Sequence, residues 1–257
     1  EYTQKWLTDK RIAYHKIHSF STPRRLAIWV TEVAEQQESQ VEEVRGPAAH
    51  IARTAEGGWS KAAEGFARKQ GVSLDQLEIK EVNGAVYVFA RKFKAGEKTV
   101  TVLTQHLTEV IDAISFPTTM RWGTRKERFI RPVRWLTCIF GEEVIPIQWG
   151  GLEADRITYG HRFLGHQVRL HAAKEYVERL KEQFVIVSVE ERKKKILAGI
   201  ERLKHENNWK VPIDPDLLEE VTCLVEYPTV LYGTFAEEFL ELPKDVLVTT
   251  MRDHQRY

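Results

Sequence analysis

Cysteine is scarce in this sequence: Cys138 and Cys223 are the two among 257 residues, and neither belongs to a C-x-x-C pair. That excludes a disulfide framework and a thiol-rich metal site. Each lies among apolar neighbours, so both are expected to be packing residues. Long hydrophobic runs are absent too. No stretch approaches the roughly 18 apolar residues that a membrane span needs, and residues 1–6 lack the basic-then-apolar layout of a signal peptide. The expectation is therefore no membrane and a cytoplasmic location. Charge of one sign is also missing. A net charge of +1 exerts no global pull toward nucleic acid, so any such binding must come from a local patch. With 42% hydrophobic and 29% charged residues, the composition is that of a packed, folded chain.

The usual signatures of catalysis are missing as well. There is no G-x-x-x-x-G-K-[ST] or G-x-G-x-x-G phosphate cradle, no G-x-S-x-G elbow and no H-E-x-x-H zinc motif. The tightest histidine set, His161, His166 and His171, has a spacing of five that matches neither a helix face nor one side of a strand. No metal site is expected and no catalytic residue is assigned. Paired carboxylates such as Glu42-Glu43, Glu190-Glu191 and Glu219-Glu220 read as solvated faces.

What is present is a set of clear local signals. Leu26 to Val33 reads as a strand, and residues 40–45 as another that Gly46-Pro47 stops. Ser60 caps a helix over Lys61–Gln70 that Gly71 ends. Asn83-Gly84 joins two strands as a type I′ turn. A helix is expected over residues 99–114, and a second hairpin over 132–140 and 144–149 across Gly141-Glu142-Glu143. Beyond residue 172 the pattern turns helical, with Ser188 to Glu191 as a capping box and Asp214-Pro215 as a helix start. The class is α+β: a mixed or antiparallel sheet region with packed helices over 1–171, then a mainly helical part over 172–257. Both ends read as lying inside helices, as in a piece cut from a longer chain.

One segment is distinctive in composition. Residues 120–135 hold six cations, one anion and three aromatic rings. Arginine offers a planar fork for phosphate, and an indole or phenyl ring offers a stacking face for an unpaired base. Arg121, Trp122, Arg125, Lys126 and Arg128 are therefore candidate RNA contacts. In a strand over 132–140, Arg131 and Arg134 would face opposite sides, making at least one of them a candidate for an internal ion pair. Arg24 and Arg25, at the mouth of a strand, suit phosphate contact or edge protection. His161 and Arg162 sit in a glycine-bounded segment that is either a presenting loop or a turn completing the core.

Several of these strings carry a family likeness. Thr22-Pro23-Arg24-Arg25-Leu26, Lys61 to Arg68, Met120-Arg121-Trp122-Gly123, Phe129 to Trp135, Gly160 to Gly165, Leu224 to Pro228 and Thr250 to Tyr257 closely resemble, in this order, the β-subunit of bacterial heterotetrameric glycyl-tRNA synthetase. The resemblance implies an N-terminal fragment of a much longer subunit, without its extreme N-terminal segment and its later HD-type and anticodon-binding domains. It implies a role in tRNA recognition and in α2β2 assembly for glycyl-tRNA formation, with the α-subunit and tRNA(Gly) as partners. Glycine, ATP and Mg would meet in the α-subunit, leaving no cofactor in this part. The family's N-terminal region is also similar to the B3/B4 module of phenylalanyl-tRNA synthetase. A hydrolytic editing domain and a purely structural inter-domain module remain the alternatives.

Overall fold

The computed structural model describes residues 1–54 and 57–256. In chain order it contains α1 (Tyr2–Asp9), β1 (Lys16–Thr22), β2 (Arg25–Thr31), β3 (Gln40–Ala48), α2 (Ala49–Ala52), α3 (Lys61–Gln70), β4 (Leu77–Val82), β5 (Ala85–Lys94), α4 (Thr99–His106) and α5 (Thr108–Asp112). Short strands follow: β6 (Leu136–Thr137), β7 (Ile139–Phe140), β8 (Glu143–Val144), β9 (Gln148–Trp149), β10 (Leu152–Asp155), β11 (Ile157–Tyr159) and β12 (Gln167–Arg169). Then come α6 (Tyr176–Glu182), α7 (Val189–Asn207), α8 (Pro215–Leu224), α9 (Lys244–Val248) and a π-helical turn over Thr249–Gln255. The class is α+β. No helix among the described residues is long and apolar enough to cross a membrane. The backbone divides into two compact units, Glu1–Tyr14 with Glu32–Val102, and His15–Thr31 with Leu103–Tyr257. The expected boundary near residue 172 lies inside the second unit, and Tyr257 of the expected terminal helix lies outside the described residues.

In the first unit an antiparallel sheet of order β3-β5-β4 carries α2 and α3 on one face. Leu77, Val88 and Ala90 point toward Ala52, Ala63 and Ala67, with Trp59 and Phe66 closing the layer. The small alanines let the helices approach closely. Gly46 has the same cause, since a β-carbon there would stand 2.6 Å from the Phe66 ring. Ser60 accepts the Ala63 amide, and Gly71 ends α3 in the left-handed region at φ 68°. Asn83 and Gly84 turn the β4–β5 hairpin at φ 53° and 78°. Gly46-Pro47 does not stop β3: the strand runs on to Ala48 through an irregularity between Arg45 and Ala48. β3 is an edge strand, where a missing proline N–H breaks no central ladder.

In the second unit, β1 and β2 form a hairpin whose turn is Thr22-Pro23-Arg24-Arg25, with Thr22 opposite Arg25. Phe20 packs with Tyr176 and Val177 on the buried cluster of Leu180, Val185 and Val187. Burying each such side chain contributes about 1.5–3 kcal/mol. Ser188 accepts the Glu191 amide at the start of α7. Asp214 accepts the Asp216 and Leu217 amides, with Pro215 in the first turn of α8.

Three expectations need correction here. The helix over 99–114 is broken at Leu107 into α4 and α5. The hairpin expected over 132–149 shrinks to two residue pairs, Ile139 with Val144 and Phe140 with Glu143. Residues 132–135 join no strand, while Leu136 pairs in parallel with Ala154. Ile145, Ile147 and Trp149 alternate inward, but Trp149 pairs with Leu152 across Gly150-Gly151, both in the left-handed region. Finally, Cys223 is exposed, whereas Cys138 is partly covered. On α8 the inward positions are Leu218 and Thr222, so Cys223, one residue on, rotates outward.

Candidate nucleic-acid interface

The Thr22-Arg25 turn gathers segments that are far apart in the chain. Arg25 and Glu226 form a buried ion pair, with Arg25 Nε 2.8 Å from Glu226 Oε1 and only 3% and 4% of the two side chains exposed. Thr22 donates its hydroxyl to the same Oε1 at 2.7 Å. The Arg25 fork also donates to the Tyr159 carbonyl at 2.6 Å and the Gly160 carbonyl at 3.5 Å. Arg131 donates to the Pro23 carbonyl at 2.9 Å. Trp135 lies beneath Arg24 and Arg25, at 6.0 and 5.8 Å, and meets the Tyr159 ring edge-on at 5.1 Å. A buried pair satisfied in this way fixes geometry; removing one partner typically costs about 3–5 kcal/mol.

Behind the turn stands Arg192, wholly buried on α7. Its Nε donates to the Thr222 carbonyl, its Nη1 to those of Ile186 and Val187, and its Nη2 to that of Ser21. Ser21 precedes the turn, and Thr222 lies in the last turn of α8, four residues before Glu226. One guanidinium thus holds the backbone on both sides of the ion pair. Burial lowers the Arg192 pKa, and the negative charge of Glu226 is among the influences opposing that shift. Burial also pushes the Tyr176 hydroxyl up to about 12, partly offset by Arg25.

Arg24 is in a different position. Its Nη1 lies 3.8 Å from Glu226 Oε2, too far for a hydrogen bond, and neither atom has a hydrogen-bond partner. Its pKa is lowered, first by burial and then by the like charges of Arg25, Arg162 and Arg134, with Glu226 alone opposing. Two guanidiniums, Arg24 and Arg25, thus share the Glu226 carboxylate, and Arg162 and Arg134 add like charge near Arg24. Such a surplus of positive charge favours an incoming anion.

The segment 160–166 is a tied loop. Gly160 and His166 close its base by a backbone bond of 2.8 Å, and the His161 amide donates to the Gln183 carbonyl at 2.8 Å. A side chain at Gly160 would collide with Gln183, and one at Gly165 with the Gln183 carbonyl and the loop's own backbone. The Phe163 and Leu164 amides both donate to His161 Nδ1 at 3.3 Å. With Nδ1 accepting, a neutral imidazole carries its proton on Nε2 and offers no free basic nitrogen. This arrangement gives His161 a structural part in the loop and leaves a hydrolytic one unsupported.

The 120–129 segment is a separate, closed loop. Met120 and Phe129 exchange backbone bonds of 2.8 and 3.1 Å, and Phe129 packs edge-on against Phe116 and Trp149. Trp122, expected as a stacking face, is half-buried against Trp149 at 6.3 Å. Arg125 is half-buried where any side chain at Gly151 would have to go. Arg121, Lys126 and Arg128 remain exposed.

Of the residues singled out in the sequence, Arg24 and Arg25 share Glu226, Arg131 bonds to the same turn, Arg134 and Arg162 act on Arg24 as like charges, and Arg121, Arg125, Lys126 and Arg128 share the other loop. The internal ion pair expected at Arg131 or Arg134 falls at Arg25 instead. Without a ladder over 132–135, neither of those two is forced inward, and both are exposed. Glu226 and Arg192 went unrecognised as partners because they sit about 200 and 170 positions from the residues they hold. No group of three or more His, Cys, Asp or Glu side chains able to hold a metal occurs among the described residues.

The family profile described as glycyl-tRNA synthetase beta subunit matches residues 1–257. The chain belongs to that family. It is 52% identical over 257 residues to the glycine–tRNA ligase beta subunit of Shouchella clausii, covering all of this chain and 37% of that protein. It is 49% identical over 252 residues to the beta subunit of Bacillus subtilis, covering 98% of this chain and 37% of that protein. To the beta subunit of Halalkalibacterium halodurans it is 50% identical over 254 residues, covering 99% and 36%. As a member of the glycyl-tRNA synthetase beta subunit family, the chain spans little more than a third of the length of these relatives. Four of the strings that carried the resemblance, at 22–26, 129–135, 160–165 and 224–228, are the ones joined around Arg25 and Glu226.

Proposed function

We propose that this chain is a non-catalytic part of a glycine–tRNA ligase β-subunit, contributing to tRNA recognition and to α2β2 assembly in the cytoplasm. In this reading glycine, ATP and Mg react in the α-subunit. The observation that carries the tRNA half is the surplus of guanidiniums around Glu226, joined by the exposed cations of the 120–129 loop. Neutralising Arg121, Lys126 and Arg128 together in the complete α2β2 enzyme is expected to weaken tRNA binding and flatten its salt dependence. Unchanged affinity and slope would remove the loop from the interface.

The assembly half is supported by an apolar surface near the end of the chain. Leu231, Tyr232, Phe235, Phe239, Leu240 and Val246 are all exposed. Patches of this kind mark protein contacts. Replacing Leu231 and Leu240 by glutamate is expected to shift the sedimentation of the α2β2 enzyme toward smaller species. A tetramer unaffected by both changes would count against this part.

A further inference from the structure

We infer that the 160–165 loop, together with Arg24 and Arg134, holds an unpaired nucleotide of the bound RNA, the base stacked on Phe163 and the phosphate on the guanidiniums. The inference rests on the tRNA reading above and narrows it to a single-stranded element and one stacking residue.

Phe163 is 82% exposed, an unfavourable place for a phenyl ring whose neighbours are His161, at 6.2 Å between ring centroids, and Arg162. It is not at a loose tip. The loop's base is closed by the Gly160–His166 and His161–Gln183 bonds, and the amide of Phe163 itself is fixed to His161 Nδ1. The ring is thus displayed from an ordered backbone, so little conformational entropy remains to be lost on binding. Arg162 stands beside it, its guanidinium carbon 5.5 Å from the ring centroid. Arg162 and Arg134 are both exposed and both act on Arg24, whose buried Nη1 faces Glu226 at 3.8 Å. An aromatic face beside exposed guanidinium forks is the combination that single-stranded nucleic acid requires: a face for the base and charge for the backbone. Duplex RNA fits poorly. Its bases are stacked on one another and its major groove is too narrow for a side chain to enter. A protein partner would have to bring an apolar pocket for Phe163 and carboxylates for the guanidiniums at the same place.

The test uses the complete α2β2 enzyme and tRNA(Gly). Phe163→Ala is expected to weaken binding about fivefold or more without changing the salt slope, and Phe163→Trp to preserve it. Arg162→Gln is expected to reduce the salt slope by about one unit. A photoreactive phenylalanine analogue at position 163 should cross-link to a nucleotide that is unpaired in tRNA. Native affinity for Phe163→Ala, or a cross-link to a paired nucleotide, would overturn the inference. So would a loss of α–β association with tRNA affinity retained, which would assign Phe163 to a protein contact. The broader tRNA reading is judged separately, by the Arg121, Lys126 and Arg128 substitutions. They can weaken binding even where Phe163→Ala does nothing.

Discussion

Arg25 and Glu226 stand 201 residues apart in sequence and 2.8 Å apart in space, nearly sealed from solvent. Their pairing ties the β1–β2 turn to the segment after α8. Glu226→Gln keeps an acceptor for Thr22 but leaves the Arg25 charge buried without its counterion. A loss of about 3 kcal/mol in urea-unfolding stability is expected, and a smaller loss for Arg24→Gln, which breaks no hydrogen bond to Glu226. Equal, small effects would show that the pair is not the organising contact.

Arg192 makes a related prediction with a different readout. Arg192→Met fills similar volume but leaves four carbonyls, those of Ser21, Ile186, Val187 and Thr222, without their donor. Each buried orphan costs about 1–3 kcal/mol. Amide exchange should accelerate around 21–25 and 222–226 together, since one side chain holds both. Faster exchange confined to α7 would contradict the coupling.

The two cysteines should separate cleanly. Burial pushes the Cys138 thiol up to about 12, against about 8.5 for a free cysteine. At pH 8 a thiol reagent is expected to modify the exposed Cys223 and spare Cys138 until the chain unfolds. The sign of the linked stability follows. The folded state holds the Cys138 proton more tightly, so the contribution is complete below about pH 8.5 and declines as pH rises toward 12. Labelling of both thiols at equal rates at pH 8 would refute the burial of Cys138.

Legibility in the sequence followed the range of the interactions. Ser60, Gly71, Asn83-Gly84 and Asp214-Pro215 act within a few residues of themselves, and their structures match the expectation. Over residues 144–149 the strand expectation holds in part, but pairing there is decided by the Gly150-Gly151 turn, which joins Trp149 to Leu152. Pro47 misled because a stop signal in a central strand is tolerated at an edge, and edge position is a tertiary fact. The site was legible as a set of motifs and illegible as a constellation. Arg24 and Arg25 stand out in sequence, and so does the string 224–228, but nothing local says that Glu226 of that string is the carboxylate that both arginines share. Phe163 lies within the 160–165 string, but its exposure cannot be read from composition.

The central claim is that the guanidiniums around Glu226 meet RNA phosphate, and salt dependence tests it most directly. The affinity of the α2β2 enzyme for tRNA(Gly) is measured across a salt series for the native protein and for the Arg134→Gln, Arg162→Gln double variant. Both positions are exposed, so folding should be unchanged. The account predicts weaker binding at low salt and a slope of log affinity against log salt reduced by more than about one unit. An affinity and slope indistinguishable from the native enzyme would contradict it.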